Sequence, residues 1–418
     1  MKEKRILITG ASGLLGAELS KTFRKDESCI TYGVYHEHQP MFDGIRLIRA
    51  DLTSELEAKS VIDATGPDVL IHCAGMVSLL GCEKEKAKAN AINIQIAKHL
   101  TKFSRERDIK FVFISSDFVF DGNEGNYTES SLTSPLNYYG ITKVAGEKLA
   151  STVPNHIIIR TTFFGTTHVQ KAKESYNEWI DRTLKDNGKA FCFTNRFFSP
   201  VSTITLSKFI KQLVHEDARG IFNISSDRRI SRFDFAQQYA RIFGLGLENI
   251  IEAQDDVSIR PYDLSLCNDK FKAFSRIPRI SIEDELALLK TAPRSVYLSE
   301  PLNIANEKGG LSVLFRNELP KGQIYTVTIP PGTTRGNHYH KKKAEWFVTV
   351  RGRVQYDLVD VGRDRRETIL TDANKKIQKI YVPPSIQHTL VNMGTEDALV
   401  IALVNQDHDA NHPDDYQR

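Results

Sequence analysis

A tyrosine and a lysine one helical turn apart are the first residues of this sequence whose types and spacing suit catalysis. Tyr139 and Lys143 lie in YYGITK, and a pair at positions i and i+4 shares one face of a helix. An ammonium beside a phenol favours the phenolate, so Lys143 is expected to lower the pKa of Tyr139 and suit it to proton transfer. Ser115, Ser116 and Asp117 end a predicted strand further upstream, where a parallel sheet places its ligand crevice.

A glycine-rich turn near the start of the chain suits a nucleotide phosphate. In ILITGASGLLG the glycines Gly10, Gly13 and Gly16 follow a predicted strand and open a predicted helix. Such glycines allow a tight turn and a close approach of backbone to pyrophosphate, and the helix N-terminus favours the negative charge. The sequence therefore predicts a dinucleotide site.

A second group of residues, in the segment 332–352, has the spacing of metal ligands. His338 and His340 are two residues apart and so point to the same face of a strand, and Glu345 follows after a turn. His388 comes from the distant segment VPPSIQHTLVN. Three imidazoles and one carboxylate suit Zn, Fe, Mn, Ni or Cu, with positions left open for water or substrate.

The first part of the chain must supply a sheet that positions the first two groups. Strands are predicted at RILITG (5–10), ITYGVY (30–35), VLIHCA (69–74), KFVFISS (110–116) and HIIIRTT (156–162). Segments with helical periodicity, such as LLGAELSKTFRK and NAINIQIAKHLTKFSRER, separate them. This alternation predicts a doubly wound parallel sheet covered by helices.

The pattern changes after residue 292. Residues 293–312 lack periodicity and are predicted to form a linker or a strand that leads into the last domain. From residue 322, short strands separated by glycine and proline turns predict a compact β-barrel or jelly roll. We therefore predict a dinucleotide-binding domain over 1–292, a linker over 293–312 and an all-β metal-binding domain over 313–418.

Composition limits the class of protein. The 418 residues are 40% hydrophobic and 26% charged, as expected of a soluble globular protein. A net charge of +4 gives no indication of nucleic-acid binding, and no apolar run approaches the ~20 residues that span a membrane. The start of the chain lacks the pattern of a signal peptide, and five scattered cysteines favour free thiols in the cytoplasm. The run KKK (341–343) is either a solvated face or a contact for an anionic substrate.

As a set, the motifs of the first domain resemble the extended short-chain dehydrogenase/reductases, and within them the dTDP-4-dehydrorhamnose reductase type. The resemblance covers about residues 4–290 and includes TGASGLLG, ADLTS (50–54), HCAG (72–75), NAINIQIA (90–97), SSDFVFDG, YYGITK, IIIRTTFFG (157–165), FFSPVS (197–202) and SRFDFA. It implies a Rossmann-type fold and reduction of a nucleotide-linked 4-keto-6-deoxyhexose at C4.

The resemblance also implies roles for single residues. Ser116 would hydrogen-bond the substrate carbonyl, Tyr139 would be the general acid, and Lys143 would bind the nicotinamide ribose. Implied substrate contacts are Asp117, Arg196 and Arg260, although Arg196 equally suits an ordinary surface position. Implied cofactor contacts are Gly10, Ser12, Gly13, Leu14, Leu15, Gly16, Tyr35, His36, Asp51, Leu52, Ala74, Gly75, Asn93, Tyr139 and Lys143.

The choice of cofactor depends on the end of the second strand. An NAD-specific turn usually places a carboxylate there for the ribose 2′-hydroxyl. In GVYHEHQ (33–39) the positions are Tyr35 and His36, and Glu37 comes late. This favours NADPH, with NADH as the alternative, although no arginine in this stretch marks a 2′-phosphate pocket.

The last domain resembles the cupins over about residues 300–415, with Ser385 where glycine is usual. More narrowly, EKGGLSVLF (307–315), PPSIQHTLVNMG and NHPDDY (411–416) resemble the capsular-polysaccharide reductases that form UDP-2-acetamido-2,6-dideoxy-L-talose. That likeness implies a divalent metal, with Zn as the first choice. It also implies epimerisation of the 4-keto sugar at C3 (or C5) before reduction. A 4-keto group acidifies the neighbouring C–H bonds, so the step needs a base. Unranked candidates are Tyr339, Tyr356 and Lys341 to Lys343.

Several functions remain open on the sequence. A bifunctional epimerase/reductase for a UDP- or dTDP-linked sugar is the first. A reductase whose cupin serves only dimerisation is the second, a regulatory subunit without activity the third, and a metal-dependent oxygenase joined to a reductase the fourth. Because cupin barrels often pair, a homodimer is expected.

Overall fold

The computed structural model describes residues 3–38, 40, 45–167, 174–256, 259–276, 280–291, 297–299, 302–306, 309–313, 323–362, 365–405, 414 and 416–417. They divide into two compact units, one before residue 291 and one from that residue onward. The predicted domain end at residue 292 lies outside the described residues, as do parts of EKGGLSVLF and NHPDDY.

The first unit alternates strands and helices. Its strands are β1 (Lys4–Thr9), β2 (Cys29–Tyr35), β3 (Arg46–Arg49), β4 (Val69–His72), β5 (Lys110–Ile114), β6 (His156–Thr161), β7 (Phe163–Phe164), β8 (Ala190–Phe193), β9 (Phe197–Phe198), β10 (Val201–Ser202), β11 (Gly220–Ile224), β12 (Ile230–Ser231) and β13 (Ile250–Ala253). Its helices are α1 (Leu14–Arg24), α2 (Glu55–Thr65), α3 (Leu79–Lys84), α4 (Lys86–Ala89), α5 (Ile96–Glu106), α6 (Tyr138–Ala150), α7 (Tyr176–Lys185), α8 (Thr203–His215), α9 (Arg232–Phe243), α10 (Asp269–Ser275) and α11 (Ile282–Thr291). A π-helix (Asn90–Gln95) precedes α5, and a 3-10 helix (Asp117–Val119) follows β5.

Seven strands form one parallel sheet in the order β3-β2-β1-β4-β5-β6-β11. The central strands β4 and β5 are buried along their whole length, as expected of a sheet covered by helices on both faces. Parallel strands end at a common edge, so the residues that follow β1, β2, β4 and β5 lie at the same side of the sheet. The predicted Rossmann-like sheet is confirmed.

The glycine turn depends on the absence of side chains. Gly10 has φ +66, and a β-carbon there would lie 2.7 Å from the backbone nitrogen of Ala74, after β4. A β-carbon on Gly16 would lie 2.2 Å from the carbonyl oxygen of Gly10. The glycines therefore let α1 begin directly against the turn and let the turn lie against the end of β4.

The second unit is rich in antiparallel strands. They are β14 (Tyr297–Ser299), β15 (Leu302–Asn306), β16 (Gly309–Val313), β17 (Gln323–Ile329), β18 (Thr334–His338), β19 (Glu345–Arg351), β20 (Arg353–Asp360), β21 (Arg365–Asp372), β22 (Lys379–Val382), β23 (Ile386–Asn392) and β24 (Ala398–Val404). The larger sheets have the orders β14-β22-β19-β24-β17 and β18-β23-β20-β21, and β15 pairs with β16. The segment 293–312, predicted as a linker or leading strand, thus contains β14, β15 and most of β16.

Side chains from both sheets share one core in this unit. Phe347 of β19 and Tyr356 of β20 have ring centroids 5.9 Å apart and belong to one buried cluster with Ile380 and Leu390. Gly352, with φ +85, turns the chain between β19 and β20. The β-rich character predicted for this region is confirmed.

No helix in the described part of the chain is long and apolar enough to cross a bilayer. The five cysteines are all free thiols.

Candidate active site and candidate metal centre

The structure brings Ser116, Tyr139 and Lys143 together at the edge of the parallel sheet. Ser116 follows β5, while Tyr139 and Lys143 lie on the buried face of α6, whose N-terminus is capped by the side chain of Asn137. All three side chains are at least nine-tenths buried. The Nζ atom of Lys143 lies 5.9 Å from the ring centroid of Tyr139 and donates a hydrogen bond to the Ile114 carbonyl at 2.7 Å.

Burial controls the protonation of this group. It raises the pKa of Tyr139, and the contact with the Ser116 hydroxyl opposes the shift only in part. Burial lowers the pKa of Lys143 to about 8. The expectation that Lys143 lowers the pKa of Tyr139 is therefore not met, because the cost of removing the phenolate from water dominates.

Asp117 is a buried carboxylic acid beside Ser116. Its side chain is 1% exposed, and its Oδ1 accepts a 2.9 Å hydrogen bond from the Ser116 hydroxyl. Its Oδ2 has no hydrogen-bond partner among the described residues. Burial raises the pKa of Asp117 to about 6, against the hydrogen bond from Ser116 and the charge of Arg232. Asp117 is thus poised to change protonation near neutral pH, in contact with the residue expected to hold the ketone.

Asn93 fixes the loop that follows β4. Its Oδ1 accepts from the Met76 backbone at 2.7 Å, and its Nδ2 donates to the Met76 carbonyl and to Thr142 of α6. A β-carbon on Gly75 would lie 3.2 Å from Asn93 Oδ1 and 4.0 Å from Lys143 Nζ. The residues predicted around the nicotinamide therefore converge in space.

The residues expected to contact the rest of the cofactor divide into two groups. Ser12, Gly13 and Leu14 remain at least partly exposed on the glycine turn. Leu15 and Leu52 place their side chains in the two cores that flank the sheet, so only their backbones remain for a cofactor.

The end of β2 holds a cation that the sequence reasoning missed. Tyr35 pairs in register with Arg49, the last residue of β3, and Arg49 Nε donates to the His36 carbonyl at 3.2 Å. The His36 ring lies within 4.0 Å of both Glu37 and Asp51. Arg49 stands outside the GVYHEHQ stretch and is brought beside it only by strand pairing, which explains the omission.

The two arginines expected to contact the nucleotide share a buried acid. Arg260 donates to Asp255 at 2.8 Å, and Arg196 Nε lies 3.5 Å from the same carboxylate. Arg196 is 5% exposed, with its guanidinium 4.1 Å from the Tyr262 ring centroid, so it is not an ordinary surface residue. Two guanidinium groups thus converge on a single carboxylate, an arrangement that suits an anionic ligand.

The four predicted metal ligands also converge. One donor atom from each of His338, His340, Glu345 and His388 lies within 4.8 Å of the others. His338 and His388 are partners on β18 and β23, while Glu345 begins β19 in the facing sheet. Glu345 Oε2 lies 3.2 Å from His340 Nε2 and 3.0 Å from His388 Nε2.

The surroundings of this cluster favour a cation. Burial alone would raise the pKa of Glu345, but the adjoining imidazoles of His340 and His388 lower it far below its usual range. His340 Nδ1 lies 2.6 Å from the Asp414 carbonyl, so this nitrogen carries the proton and Nε2 is left to face the cluster. The donor set, the burial and the fixed tautomer all fit a divalent metal ion.

The lysine run beside the cluster has a backbone role. The Asp414 carboxylate accepts from the backbone nitrogens of Lys341, Lys342 and Lys343 at 2.8 to 3.1 Å. Tyr416 pairs with Tyr339 in both directions at 2.9 Å. The end of the chain thus supports the histidine loop.

A cavity of about 340 Å³ adjoins the cluster, and Tyr325, Arg335, His338 and His388 are among its lining residues. None of the candidate bases (Tyr339, Tyr356 and Lys341 to Lys343) is among the residues that line this cavity. Tyr356 is fully buried and bonds Thr349 at 2.8 Å, while the Tyr339 ring stacks on Tyr416. The sequence reasoning missed Tyr325, whose hydroxyl donates to Glu345 Oε1 at 2.8 Å.

Comparison with known proteins identifies the class to which the chain belongs. Residues 4–287 match the family described as the RmlD substrate binding domain, and residues 305–416 match the polysaccharide biosynthesis C-terminal domain. The chain belongs to the RmlD family, the dTDP-4-dehydrorhamnose reductase type, with a C-terminal domain of the polysaccharide biosynthesis type.

Individual relatives cover the first unit. A hypothetical dTDP-4-dehydrorhamnose reductase from Sulfolobus tokodaii is 31% identical, with a TM-score of 0.59 over 67% of this chain and 98% of that one. The corresponding enzyme of Bacillus anthracis, solved with NADP, is 24% identical and has a TM-score of 0.61, over 69% of this chain and 98% of that one.

Two curated relatives have different descriptions. The probable low-salt glycan biosynthesis reductase Agl14 of Haloferax volcanii is 27% identical over 293 residues, 68% of this chain and 97% of that protein. Methionine adenosyltransferase 2 subunit beta of Rattus norvegicus is 27% identical over 298 residues, 68% of this chain and 87% of that protein.

Proposed function

We propose that the first unit reduces a nucleotide-linked 4-keto-6-deoxyhexose at C4 with NADPH, in the synthesis of a cell-surface polysaccharide precursor. The observation that carries this proposal is the buried group of Ser116, Tyr139 and Lys143 beside a glycine turn, at the ligand-binding edge of a parallel sheet. The family and the named reductases among its relatives agree with it.

The roles of the residues follow from their positions. NADPH, when bound, supplies the hydride for the sugar ketone. Ser116 donates a hydrogen bond to the ketone oxygen, and Tyr139 donates the proton that this oxygen takes up as it becomes a hydroxyl. Lys143 lies one turn from Tyr139, holds the coenzyme ribose and supplies positive charge when the phenolate forms.

The convergence of the Arg196 and Arg260 guanidinium groups beside Asp255 supports a role in binding the diphosphate of a UDP- or dTDP-sugar. We infer that the diphosphate shares these guanidinium groups with Asp255. Arg232 adds a third cation, stacked 3.7 Å from the Phe198 ring centroid and close enough to Asp117 to influence its pKa.

We further propose that the second unit is a cupin-type barrel that epimerises the 4-keto sugar at C3 (or C5) before its reduction. Four converging donor atoms beside a cavity large enough for a sugar carry this proposal. His338, His340, Glu345 and His388 would hold a divalent ion, Zn first, and the bound ion supplies the positive charge that eases loss of a proton beside the ketone. Reduction then draws the isomerisation towards product.

The test uses the full chain with UDP- and dTDP-4-keto-6-deoxyhexoses and the absorbance of NADPH. Coenzyme oxidation that depends on the sugar supports the reductase. Exchange of solvent deuterium into C3 or C5 without NADPH supports the epimerase. Oxidation without exchange would leave a reductase with an architectural barrel, the second candidate.

A regulatory subunit is a further candidate because the relatives include methionine adenosyltransferase 2 subunit beta. Absence of NADPH oxidation with every 4-keto sugar nucleotide would favour it. We also propose a homodimer, which light scattering of the full chain tests.

A further inference from the structure

Arg49 lies beside the end of β2, the place where Rossmann-type folds contact the ribose of a dinucleotide. It ends β3 opposite Tyr35, and its Nε is fixed on the His36 carbonyl at 3.2 Å. The glycine turn is bonded to β2, since the backbone nitrogen of Ala11 donates to the carbonyl of Val34 at 3.0 Å. Parallel pairing therefore places Arg49, the end of β2 and the turn at one edge of the sheet.

The environment leaves the guanidinium available to an anion. Arg49 is exposed, and no carboxylate in the described part of the chain forms an ion pair with it. Glu37 and Asp51 are nearby but lie against the His36 ring, at 3.9 and 4.0 Å. A guanidinium fork matches a phosphate geometrically, and charge-assisted hydrogen bonds of this kind are among the strongest in proteins.

We propose that Arg49 selects the phosphorylated coenzyme by pairing with its ribose 2′-phosphate. This rests on the proposed reductase function and supplies the arginine that the end of β2 itself lacks. Glu37 and Asp51 oppose the phosphate charge, so the selectivity depends on Arg49.

Arg46 offers a matched control on the same strand. Its Nη1 donates to the Tyr32 hydroxyl at 3.2 Å, and its guanidinium lies 5.6 Å from the centroid of that ring. It therefore shares the charge and the strand of Arg49, but it begins β3 rather than ending it, and its guanidinium is engaged by Tyr32.

The experiment measures binding of 2′,5′-ADP and 5′-AMP to the full chain by calorimetry. The unmodified protein should bind 2′,5′-ADP roughly tenfold to a hundredfold more tightly. Arg49→Gln should abolish that preference while leaving 5′-AMP binding unchanged, and Arg46→Gln should keep it. A retained preference in Arg49→Gln, or equal binding by the unmodified protein, would overturn the proposal. Because no turnover is involved, this outcome is independent of whether any sugar nucleotide is reduced.

An independent observation concerns Tyr325, on β17 of the second unit. Its hydroxyl donates to Glu345 Oε1 at 2.8 Å, whereas the other oxygen of Glu345 lies 3.0 to 3.2 Å from two histidines. Tyr325 also lines the cavity. The two carboxylate oxygens thus have different partners, Tyr325 on one side and the imidazoles on the other.

We infer that Tyr325 is a positioning residue that orients Glu345 towards a bound divalent ion. Groups that hydrogen-bond a metal ligand typically change metal affinity by about tenfold to a hundredfold when removed. This inference rests on the proposed metal centre but not on epimerase activity.

Zinc affinity of the full chain, measured by competition with a chromophoric chelator, tests the role. Tyr325→Phe should weaken binding by about tenfold or more. Tyr356→Phe removes a buried hydroxyl that bonds Thr349 and should leave the affinity unchanged. Unchanged affinity in Tyr325→Phe would overturn the inference, whereas absence of zinc binding by the unmodified protein would reject the metal centre itself.

Discussion

Asp117 in the first unit and Glu345 in the second are equally buried carboxylates with opposite pKa shifts. Asp117 is 1% exposed and Glu345 is 2% exposed. Burial raises the pKa of Asp117 to about 6, because the hydrogen bond from Ser116, the charge of Arg232 and the nearby backbone N–H groups oppose it only in part. For Glu345 two histidines outweigh burial and lower the pKa. Partners rather than depth decide which carboxylate keeps its charge.

The difference matches what each site is proposed to do. The first site buries Asp117, Tyr139 and Lys143, and burial shifts the pKa of each towards its uncharged form. The second keeps an anionic carboxylate among imidazoles, which suits a cation. The comparison predicts that each site can be disabled without the other.

The largest expected effects come from substituting one residue in each site and measuring both activities in each variant. Tyr139→Phe removes the proposed proton donor and should lower sugar-dependent NADPH oxidation by about 10²–10⁴-fold. It should leave solvent deuterium exchange into the 4-keto sugar intact. His388→Ala should abolish the deuterium exchange, which is measured by mass spectrometry. It should leave NADPH oxidation intact when the sugar supplied is already epimerised.

Tyr138→Phe is a matched control for the first variant, since the hydroxyl of Tyr138 bonds Asn90 rather than the Ser116 group. Loss of both activities in either variant would show that the two sites are one functional unit and would contradict the comparison.

A third buried carboxylate extends the comparison to stability. Glu147 is held by Arg160 through Nε and Nη2 at 3.0 and 2.8 Å, and both side chains are nearly inaccessible. Arg160→Ala leaves that charge unpaired and should cost about 3–5 kcal/mol of the free energy of unfolding. The exposed Arg105→Ala, which loses a bond to Thr152, should change it by less than about 0.5 kcal/mol.

The chain has two tryptophans, which allows the units to be followed separately. Denaturant unfolding of the first unit is read from Trp179 in a Trp346→Phe background. Equal costs for Arg160→Ala and Arg105→Ala would show that the buried pair does not stabilise the unit.

Asp117→Asn should stabilise the first unit in a pH-dependent way. The folded pKa of about 6 exceeds the unfolded value of about 3.9, so the folded protein binds more protons between these values. Stability is therefore lost as pH rises through that range, and above it the charged carboxylate costs roughly 2–3 kcal/mol. Asparagine avoids this cost.

The Trp179 signal should show the variant more stable than the parent at pH 8 and equally stable near pH 4. The same difference at both pH values would mean that protonation of Asp117 is not the cause. Asp117→Asn should also lower the reductase activity, because the group beside Ser116 no longer titrates.

The smallest effect is expected at Ser385, which has a left-handed φ of +65 and donates its backbone N–H to the His340 carbonyl. Glycine adopts this conformation without strain, so Ser385→Gly should stabilise the second unit by up to about 1 kcal/mol. Trp346 fluorescence in a Trp179→Phe background measures it. Asn337→Gly at φ +66 should gain less, because asparagine tolerates this region; a loss of stability in Ser385→Gly would contradict the reasoning.

The parts of the fold that the sequence predicted best have strong local signals. The predicted strand VLIHCA (69–74) corresponds to β4 (Val69–His72), and HIIIRTT (156–162) to β6 (His156–Thr161), because buried parallel strands are continuous β-branched runs. The predicted strand ends extend one or two residues into the loops that follow each strand.

Interactions between distant segments were not predictable. Arg49 reaches the end of β2 through strand pairing, and Asp414 reaches the lysine run across some seventy residues. Tyr325 on β17 reaches Glu345 on β19 across β24, the strand that lies between them in the sheet. Nothing in local spacing encodes these contacts. The raised pKa of Tyr139 was missed for a related reason, since the depth of burial depends on the packing of α6 against its neighbours.

The two-site account is tested most directly by the labelling pattern of a single product. The full chain is incubated in deuterium oxide with unlabelled NADPH and a 4-keto-6-deoxy sugar nucleotide, and the product is analysed by NMR. The account predicts protium from the coenzyme at C4 and deuterium from solvent at C3 (or C5). A reduced product with no solvent deuterium at either carbon would contradict it.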